Sequence, residues 1–267
     1  MTDDQFTPSQ AASNALLASG FPFQTAIARV VRQATDCKVI CEEFPWRDTG
    51  GEDRFLDIVA TKQRFIVAIE CKKTQKEILT FLQPGGVYGD VNRPRCLYLT
   101  QIQDSTKRME LFCSDWMLTP KSTESKFCVV STSASRKDQR LLERDAQLLI
   151  RGTEEYARWF KADFKVKDVP ETDRPIIPLI VTNAELLVAD FDAADVSLET
   201  GQLPASSSAK LLPVSWVRLR KAFSTGGRDL GDRTVFVVRA GELVKWLAKL
   251  EFAGTDTPAE DGKIHFQ

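Results

Sequence analysis

The sequence predicts an α/β fold in which a mixed central sheet is flanked by helices and followed by a β-rich C-terminal elaboration. Three observations carry that expectation: an amphipathic stripe over 21–34, two apolar runs of strand length at 54–60 and 64–72, and a long helical pattern over 138–163. With 267 residues, 43% hydrophobic and 27% charged, the chain can bury a large core. No internal repeat or clear linker divides it. The expected organisation is an N-terminal extension over 1–20, a core over 21–183, and a C-terminal elaboration of the same domain over 184–267.

In "FPFQTAIARVVRQA", Phe23, Ile27, Val30, Val31 and Ala34 share one helical face, which should pack on a sheet. "KVICEEFPW" reads as a strand ended by Pro45, and "RDTGGEDR" as a charged loop. Strands 54–60 and 64–72 are joined by the polar turn "TKQR". "TQKEILTFL" reads as a short helix closed by the turn chemistry of "QPGG". Apolar runs at "CLYLTQI", "MELFCS" and "FCVVST" are further strands. Over 138–163, Leu141, Leu142, Ala146, Leu149, Ile150, Tyr156 and Trp159 fall mostly on one side, with a soft break at Gly152. "RPIIPLIVTNAELLVADF" reads as a strand, an Asn-centred turn and a strand. Beyond the polar loop "QLPASSSAKLLP", "VSWVRLRKAF" gives a strand and "RTVFVVRAGELVKWLAKLE" a strand and a helix.

Composition excludes several chemistries. Thirty-six basic and 37 acidic residues leave a formal charge of -1, so an anionic partner must be met by a local patch rather than a global field. Six cysteines without a C-x-x-C pair, in a chain too large to need stapling, are expected to be reduced thiols and not a zinc site. His265 is the only histidine and lies two residues from the end, which rules out Ser-His-Asp triads and H-E-x-x-H zinc sites. Hydrolysis here would have to run on carboxylates, lysine and a hard metal. No basic and apolar leader opens the chain, and no run approaches the ~18 apolar residues of a membrane span, so a cytoplasmic protein is expected.

The hairpin "FLDIVATKQRFIVAIECKK" raises the functional question, because Asp57, Glu70 and Lys72 interrupt its apolar runs. Strand side chains alternate faces, so Ile66, Ala68, Glu70 and Lys72 share one side of the second strand. A turn symmetric about Lys62 and Gln63 sets Asp57 opposite Ala68 and diagonal to Glu70, at ~7–8 Å, with Leu56, Ile58, Ala60, Phe65, Val67 and Ile69 behind. Two such carboxylates repel, and apolar walls raise the cost of ionising both. A divalent cation resolves that conflict, and Mg²⁺ suits one or two carboxylates plus water and phosphate. Lys72 beside it can orient or deprotonate water, or neutralise charge on a phosphorane. The bland reading is a strand-end ion pair with Asp57 capping a turn.

"FLDIVA…FIVAIECKK" resembles the active-site signature of the PD-(D/E)XK, or restriction-endonuclease-like, nuclease superfamily, and "GFPFQTAIARVV" is similar to the helix that often precedes it. The resemblance covers roughly residues 20–73. It implies a restriction-endonuclease-like core, with helix 138–163 and strand 176–182 supplying the rest, and Mg²⁺-dependent (or Mn²⁺-dependent) hydrolysis of phosphodiester bonds, DNA before RNA. Asp57, Glu70 and the backbone carbonyl of Cys71 are then metal ligands, and Lys72 the catalytic base or charge stabiliser. Leu56 stands in place of the motif's proline. Gln24 stands where many relatives carry a glutamate, so the third ligand is Gln24 through its carbonyl, or Glu42 or Glu43. The resemblance also raises dimerisation, frequent in relatives that cut both strands. The alternative is a catalytically silent chain of this fold that binds nucleic acid or a protein partner.

Two patches are candidates for holding a polyanion. Arg140, Arg144, Arg151 and Arg158 recur along helix 138–163, led in by Arg136 and Lys137, though Glu143, Glu154 and Glu155 fit an ordinary solvated face. Trp216, Arg218 and Arg220 share one strand face, readable as a stacking and phosphate surface or as a charged edge strand.

Overall fold

The computed structural model describes residues 7–34, 36–74, 77–84, 93–101, 109–131, 141–163, 173–203, 209–222 and 231–253. His265, Arg136, Lys137 and Arg140 lie outside them. The chain runs α1 (Pro8–Ala18), α2 (Phe21–Gln33), β1 (Cys37–Arg47), β2 (Asp53–Lys62), β3 (Phe65–Lys72), β4 (Ile78–Pro84), β5 (Arg95–Gln101), β6 (Met109–Asp115), β7 (Leu118–Thr119), β8 (Glu124–Ser125) and β9 (Cys128–Ser131). Then follow α3 (Leu141–Asp163), β10 (Arg174–Thr182), β11 (Glu185–Phe191), β12 (Lys210–Pro213), β13 (Trp216–Ala222), β14 (Asp232–Arg239), α4 (Leu243–Lys249) and β15 (Glu251–Phe252).

The mixed α/β class is as expected. The central sheet has the order β1-β2-β3-β10-β14-β13-β8, with β5 and β6 added alongside β10. Antiparallel hairpins supply its β1–β2–β3 arm, and β10 joins β3 and β14 in parallel. Its two faces bury separate cores, because each strand buries both alternate sets of side chains. On one face Val59, Ile66, Ala68 and Ile180 pack with Leu142, Leu149, Tyr156 and Phe160 of α3 and with the second sheet, β12-β11-β4-β9. On the other, Ile58, Ala60, Val67 and Ile69 pack with Ile27, Ala28 and Val31 of α2 and Trp246 and Leu247 of α4. All six cysteines are free, and three are buried.

Several local expectations are corrected. Residues Ile78–Pro84 form a strand and not a helix: Leu79 and Phe81 alternate inward, and β4 pairs in parallel with β11 and antiparallel with β9. Strands β10 and β11 do not form a hairpin, since they belong to different sheets. Asn183 instead serves the crossing between them: its Oδ1 accepts from the Thr74 amide at 2.6 Å, and its Nδ2 donates to the Thr74 carbonyl at 3.0 Å. Pro45 does not end β1, because β1 is an edge strand, where a missing N–H is tolerated. Helix α3 passes through Gly152 unbroken. A Cβ there would stand 2.6 Å from Leu56 Cδ2 and 2.9 Å from Trp46 Nε1, so the glycine lets α3 lie close against β1 and β2.

The 1–20 stretch contains α1, started by a Thr7–Gln10 capping box and held at its C-terminus by Lys73, whose Nζ donates to the carbonyls of Leu17 and Ser19. Beyond residue 184, β13 and β14 complete the central sheet, so the C-terminal part belongs to the core as well as elaborating it. Among the described residues no helix is long and apolar enough to cross a membrane.

Candidate functional site

Pairing between β2 and β3 runs from Lys62–Phe65 at the turn to Ile58–Ile69. The turn is therefore Gln63–Arg64, one residue later than expected, with Gln63 at φ 51°. Lys62 is drawn into the ladder because its buried ammonium donates to the Leu250 carbonyl at 3.1 Å and pairs with Asp36. Asp57 thus lies at the register position of Glu70 rather than Ala68. The shift is even, so Glu70 and Lys72 keep the expected side, that of Ile66 and Ala68.

Past the Ile58–Ile69 rung the sheet forks. Strand β2 stays with β1 as far as Asp53–Arg47, while β3 stays with β10 as far as Lys72–Thr182. Asp57 and Glu70 are the first residues on the two arms. The Cys71 amide, facing the gap, donates to Asp57 Oδ2 at 2.6 Å.

A kink brings in a third carboxylate. Glu43 takes φ 56°, a left-handed conformation that side chains rarely adopt. By register it faces Asp57, between the Glu42–Ile58 and Phe44–Leu56 pairs. At this point both strands change faces: Cys41 and Phe44 pack on the same core, as do Leu56 and Val59, although each pair is three residues apart. Leu56 therefore leaves the apolar back face assigned to it and turns toward α3. Glu43 turns into the gap, whereas Glu42 points away and pairs with Arg32. From α2, Gln24 Nε2 donates to Glu43 Oε1 and lies 3.4 Å from the Asp57 carbonyl oxygen. Of the three residues expected as a third ligand, Gln24 and Glu43 line the gap, Gln24 with its amide nitrogen toward Glu43, and Glu42 points away from it.

Gln24, Glu43, Asp57 and Glu70 line one cavity of about 320 Å³, walled on its apolar side by Trp46, Leu56, Leu148 and Leu149. Burial and mutual repulsion make it costly to ionise. Burial pushes the Asp57 carboxyl up to about 6; Glu43 adds to the rise, and the Cys71 N–H and Lys72 oppose it. Glu70 is pushed up to about 8, by burial first and then by Asp57 and Asp145, with Lys72 opposing. Lys72 follows Glu70 on the same face and reaches α3, where its Nζ stands 2.6 Å from Asp145 Oδ2.

Asp145 is the site residue that sequence reasoning missed. It sits among Leu142, Ala146 and Leu149 on the buried stripe of α3. A carboxylate inside an apolar stripe was the available signal. As the side chains stand, no three carboxylate, thiol or imidazole groups among the described residues are gathered closely enough to hold one ion. The Gln24–Glu43 and Cys71–Asp57 hydrogen bonds occupy oxygens that would have to turn.

The patches expected to hold a polyanion fare differently. On α3, Arg144 is exposed, Arg151 is half-buried, and Arg158 pairs with Glu155. The Trp216–Arg220 face is not an open surface. Arg218 is only 1% exposed and donates to the Ser122 carbonyl at 3.0 Å. Arg220 pairs with Asp115 at 3.2 Å and Asp232 at 3.6 Å, and Trp216 packs on the core, its Nε1 donating to the Lys121 carbonyl. Acids on β6 and β14 take up the charge that the isolated strand offers.

Fold and site define an α/β protein with a carboxylate-lined cavity at a fork in its central sheet. Comparisons with protein-family models, with curated proteins and with solved structures give no match to this chain.

Proposed function

We propose that the chain is a divalent-cation-dependent nuclease of the PD-(D/E)XK type, hydrolysing phosphodiester bonds, with DNA the polymer the resemblance implies. One observation carries this reading: Asp57 and Glu70, thirteen positions apart, open onto one cavity with Lys72 next on the same strand face. The elements α2, β1, β2, β3, α3 and β10 follow in that order, with β4 to β9 between β3 and α3, and β10 lies parallel beside β3, which supports the core that the resemblance implies.

The donor set fits a hard cation. Its groups are oxygens only, and burial with mutual repulsion raises both Asp57 and Glu70, the condition that a divalent charge relieves. Asp57, Glu70, the Cys71 carbonyl and either Glu43 or Gln24 would hold Mg²⁺ or Mn²⁺. When bound, such an ion polarises a phosphoryl oxygen and makes water more acidic. The remaining work belongs to the chain: the Cys71 N–H orients Asp57, Leu148 and Leu149 wall the cavity on its apolar side, and Lys72, turned from Asp145, would place positive charge where a phosphoryl group gains negative charge.

Incubation with linear, circular and single-stranded DNA in Mg²⁺ tests the reading. Wild-type protein should cut, and Glu70→Ala and Lys72→Ala should not. Cleavage that survives both substitutions would remove the assignment. A second reading, a chain of this fold that binds nucleic acid without cutting it, is favoured by the Lys72–Asp145 pair, which ties the lysine to α3. DNA retention that EDTA leaves unchanged, with no Mn²⁺ uptake, would select it.

A further inference from the structure

Two exposed phenyl rings stand at the mouth of the same cavity. Phe21, at the start of α2, is 64% exposed, and Phe55, on β2, is 50% exposed; both line the space into which Gln24, Glu43, Asp57 and Glu70 open. Phe21 lies one helical turn before Gln24, and Phe55 lies two residues before Asp57. The 3.4 Å approach of Gln24 to the Asp57 carbonyl brings those two segments together, setting a ring on each. Leaving phenyl rings in water is costly, and here the cost falls beside a carboxylate-lined cavity.

Charge and shape narrow the occupant. The formal charge is -1, and Asp53 adds a further acid to the lining. Arg54, the one basic residue of that lining, is already paired with Asp48 and Glu52. Such a lining has little of its own to hold a duplex by its phosphates, the dominant source of affinity for double-stranded DNA. A cavity of about 320 Å³ is at the small end of ligand sites, ~300–1,000 Å³. A nucleotide matches its two halves, with a phosphate for a cation on the acidic floor and a flat π-face for the rings. Only an unpaired base, out of its stack, can offer that face.

We propose that Phe21 and Phe55 form a stacking platform for an unpaired nucleobase, so that the substrate is single-stranded nucleic acid or an unpaired end. This rests on the nuclease reading above for its cation-bound phosphate, but the stacking itself does not need cleavage.

The test uses the full chain, with fluorescence anisotropy on a labelled oligodeoxynucleotide of roughly 20 nucleotides, longer than one stacking site, and on the blunt duplex of the same sequence. Ca²⁺ replaces Mg²⁺. The single strand should bind more tightly than the duplex. Phe21→Ala and Phe55→Ala should each weaken single-strand binding about 10-fold, and Phe→Trp at either position should retain it. Mn²⁺ uptake by calorimetry should persist in the alanine variants, showing that they are folded. Unchanged single-strand binding in both alanine variants would overturn the proposal. So would a wild-type preference for duplex, or leucine serving as well as tryptophan. A dimer that the alanine variants convert to monomer, by light scattering, would make the rings an interface between copies and overturn it too. Ring-dependent single-strand binding that persists in EDTA, without Mn²⁺ uptake or cleavage, would sink the nuclease reading and leave the platform standing. Metal-dependent cleavage indifferent to both rings would do the reverse.

Discussion

Lys72 Nζ stands 2.6 Å from Asp145 Oδ2, and the two partners are unequally buried: the side chain of Lys72 is 26% exposed and that of Asp145 9%. Removing either one has different consequences. Without Lys72 a buried carboxylate is stranded among apolar neighbours, whereas without Asp145 the ammonium can turn to water and one source of repulsion on Glu70 disappears. Urea denaturation should show Lys72→Ala losing about 2–4 kcal/mol and Asp145→Ala about 1 kcal/mol, the exposure of Lys72 keeping both below the cost of a fully buried pair. Equal losses would refute the asymmetry. In cleavage, Lys72→Ala should cost at least about 100-fold, the scale of a lost catalytic side chain.

Stability should depend on pH through the two acids at the fork. Both carboxyl groups are raised in the folded chain, so the folded state holds protons that the unfolded state releases, and stability falls as pH rises. The loss begins above the ordinary carboxylate range and continues through about 6 for Asp57 and about 8 for Glu70. Melting in EDTA should therefore be lower at high pH across that window, and Mn²⁺ should restore it most where both groups are ionised. Glu70→Gln should flatten the EDTA profile. A profile that rises over this range would contradict the burial of these acids.

Glu43 and Glu42 should behave oppositely although they are adjacent. Glu43 pays for a left-handed backbone and faces the cavity, so Glu43→Gly should stabilise the metal-free protein by about 1 kcal/mol while weakening Mn²⁺ binding. Glu42→Ala removes only an exposed pair with Arg32 and should leave Mn²⁺ binding as it was. Calorimetric titration of both variants decides the matter, and equal Mn²⁺ affinity in the two would remove Glu43 from the ligand set.

Gly152→Ala sets helix propensity against packing. Alanine favours a helix by about 1 kcal/mol, but its Cβ would collide with Leu56 and Trp46 at 2.6 and 2.9 Å, and overpacking costs about 1–3 kcal/mol. The collision should prevail because Leu56 is itself buried, at 1% exposure. A lower denaturation midpoint is expected, along with weaker Mn²⁺ binding, since Leu56 adjoins Asp57. A higher midpoint would show that α3 can lift without cost.

Much of the site was legible because alternation is a strong constraint. The side of β3 carrying Glu70 and Lys72 followed from Ile66 and Ala68, and an even error in register could not disturb it. What alternation could not reveal was its own interruption. Nothing in "CEEFPW" announces a left-handed Glu43, so neither the choice between Glu42 and Glu43 nor the turning of Leu56 was readable. Partners distant in sequence were equally hidden: Arg218 and Arg220 look like a basic surface until Glu124, Asp115 and Asp232 fall beside them. The helix expected over 74–82 shows the same limit, because Ile78–Phe81 fits either period and pairing with β11 decides between them.

The separation of β2 from β3 makes spacing a chemical parameter. Between Ile58 and Ile69 the two strands climb a fixed number of rungs before they part. One residue added to the ladder itself, rather than absorbed by the bend at Gln63–Arg64, would send one acid to the far side, while two would lower the point of parting but leave both acids on one side.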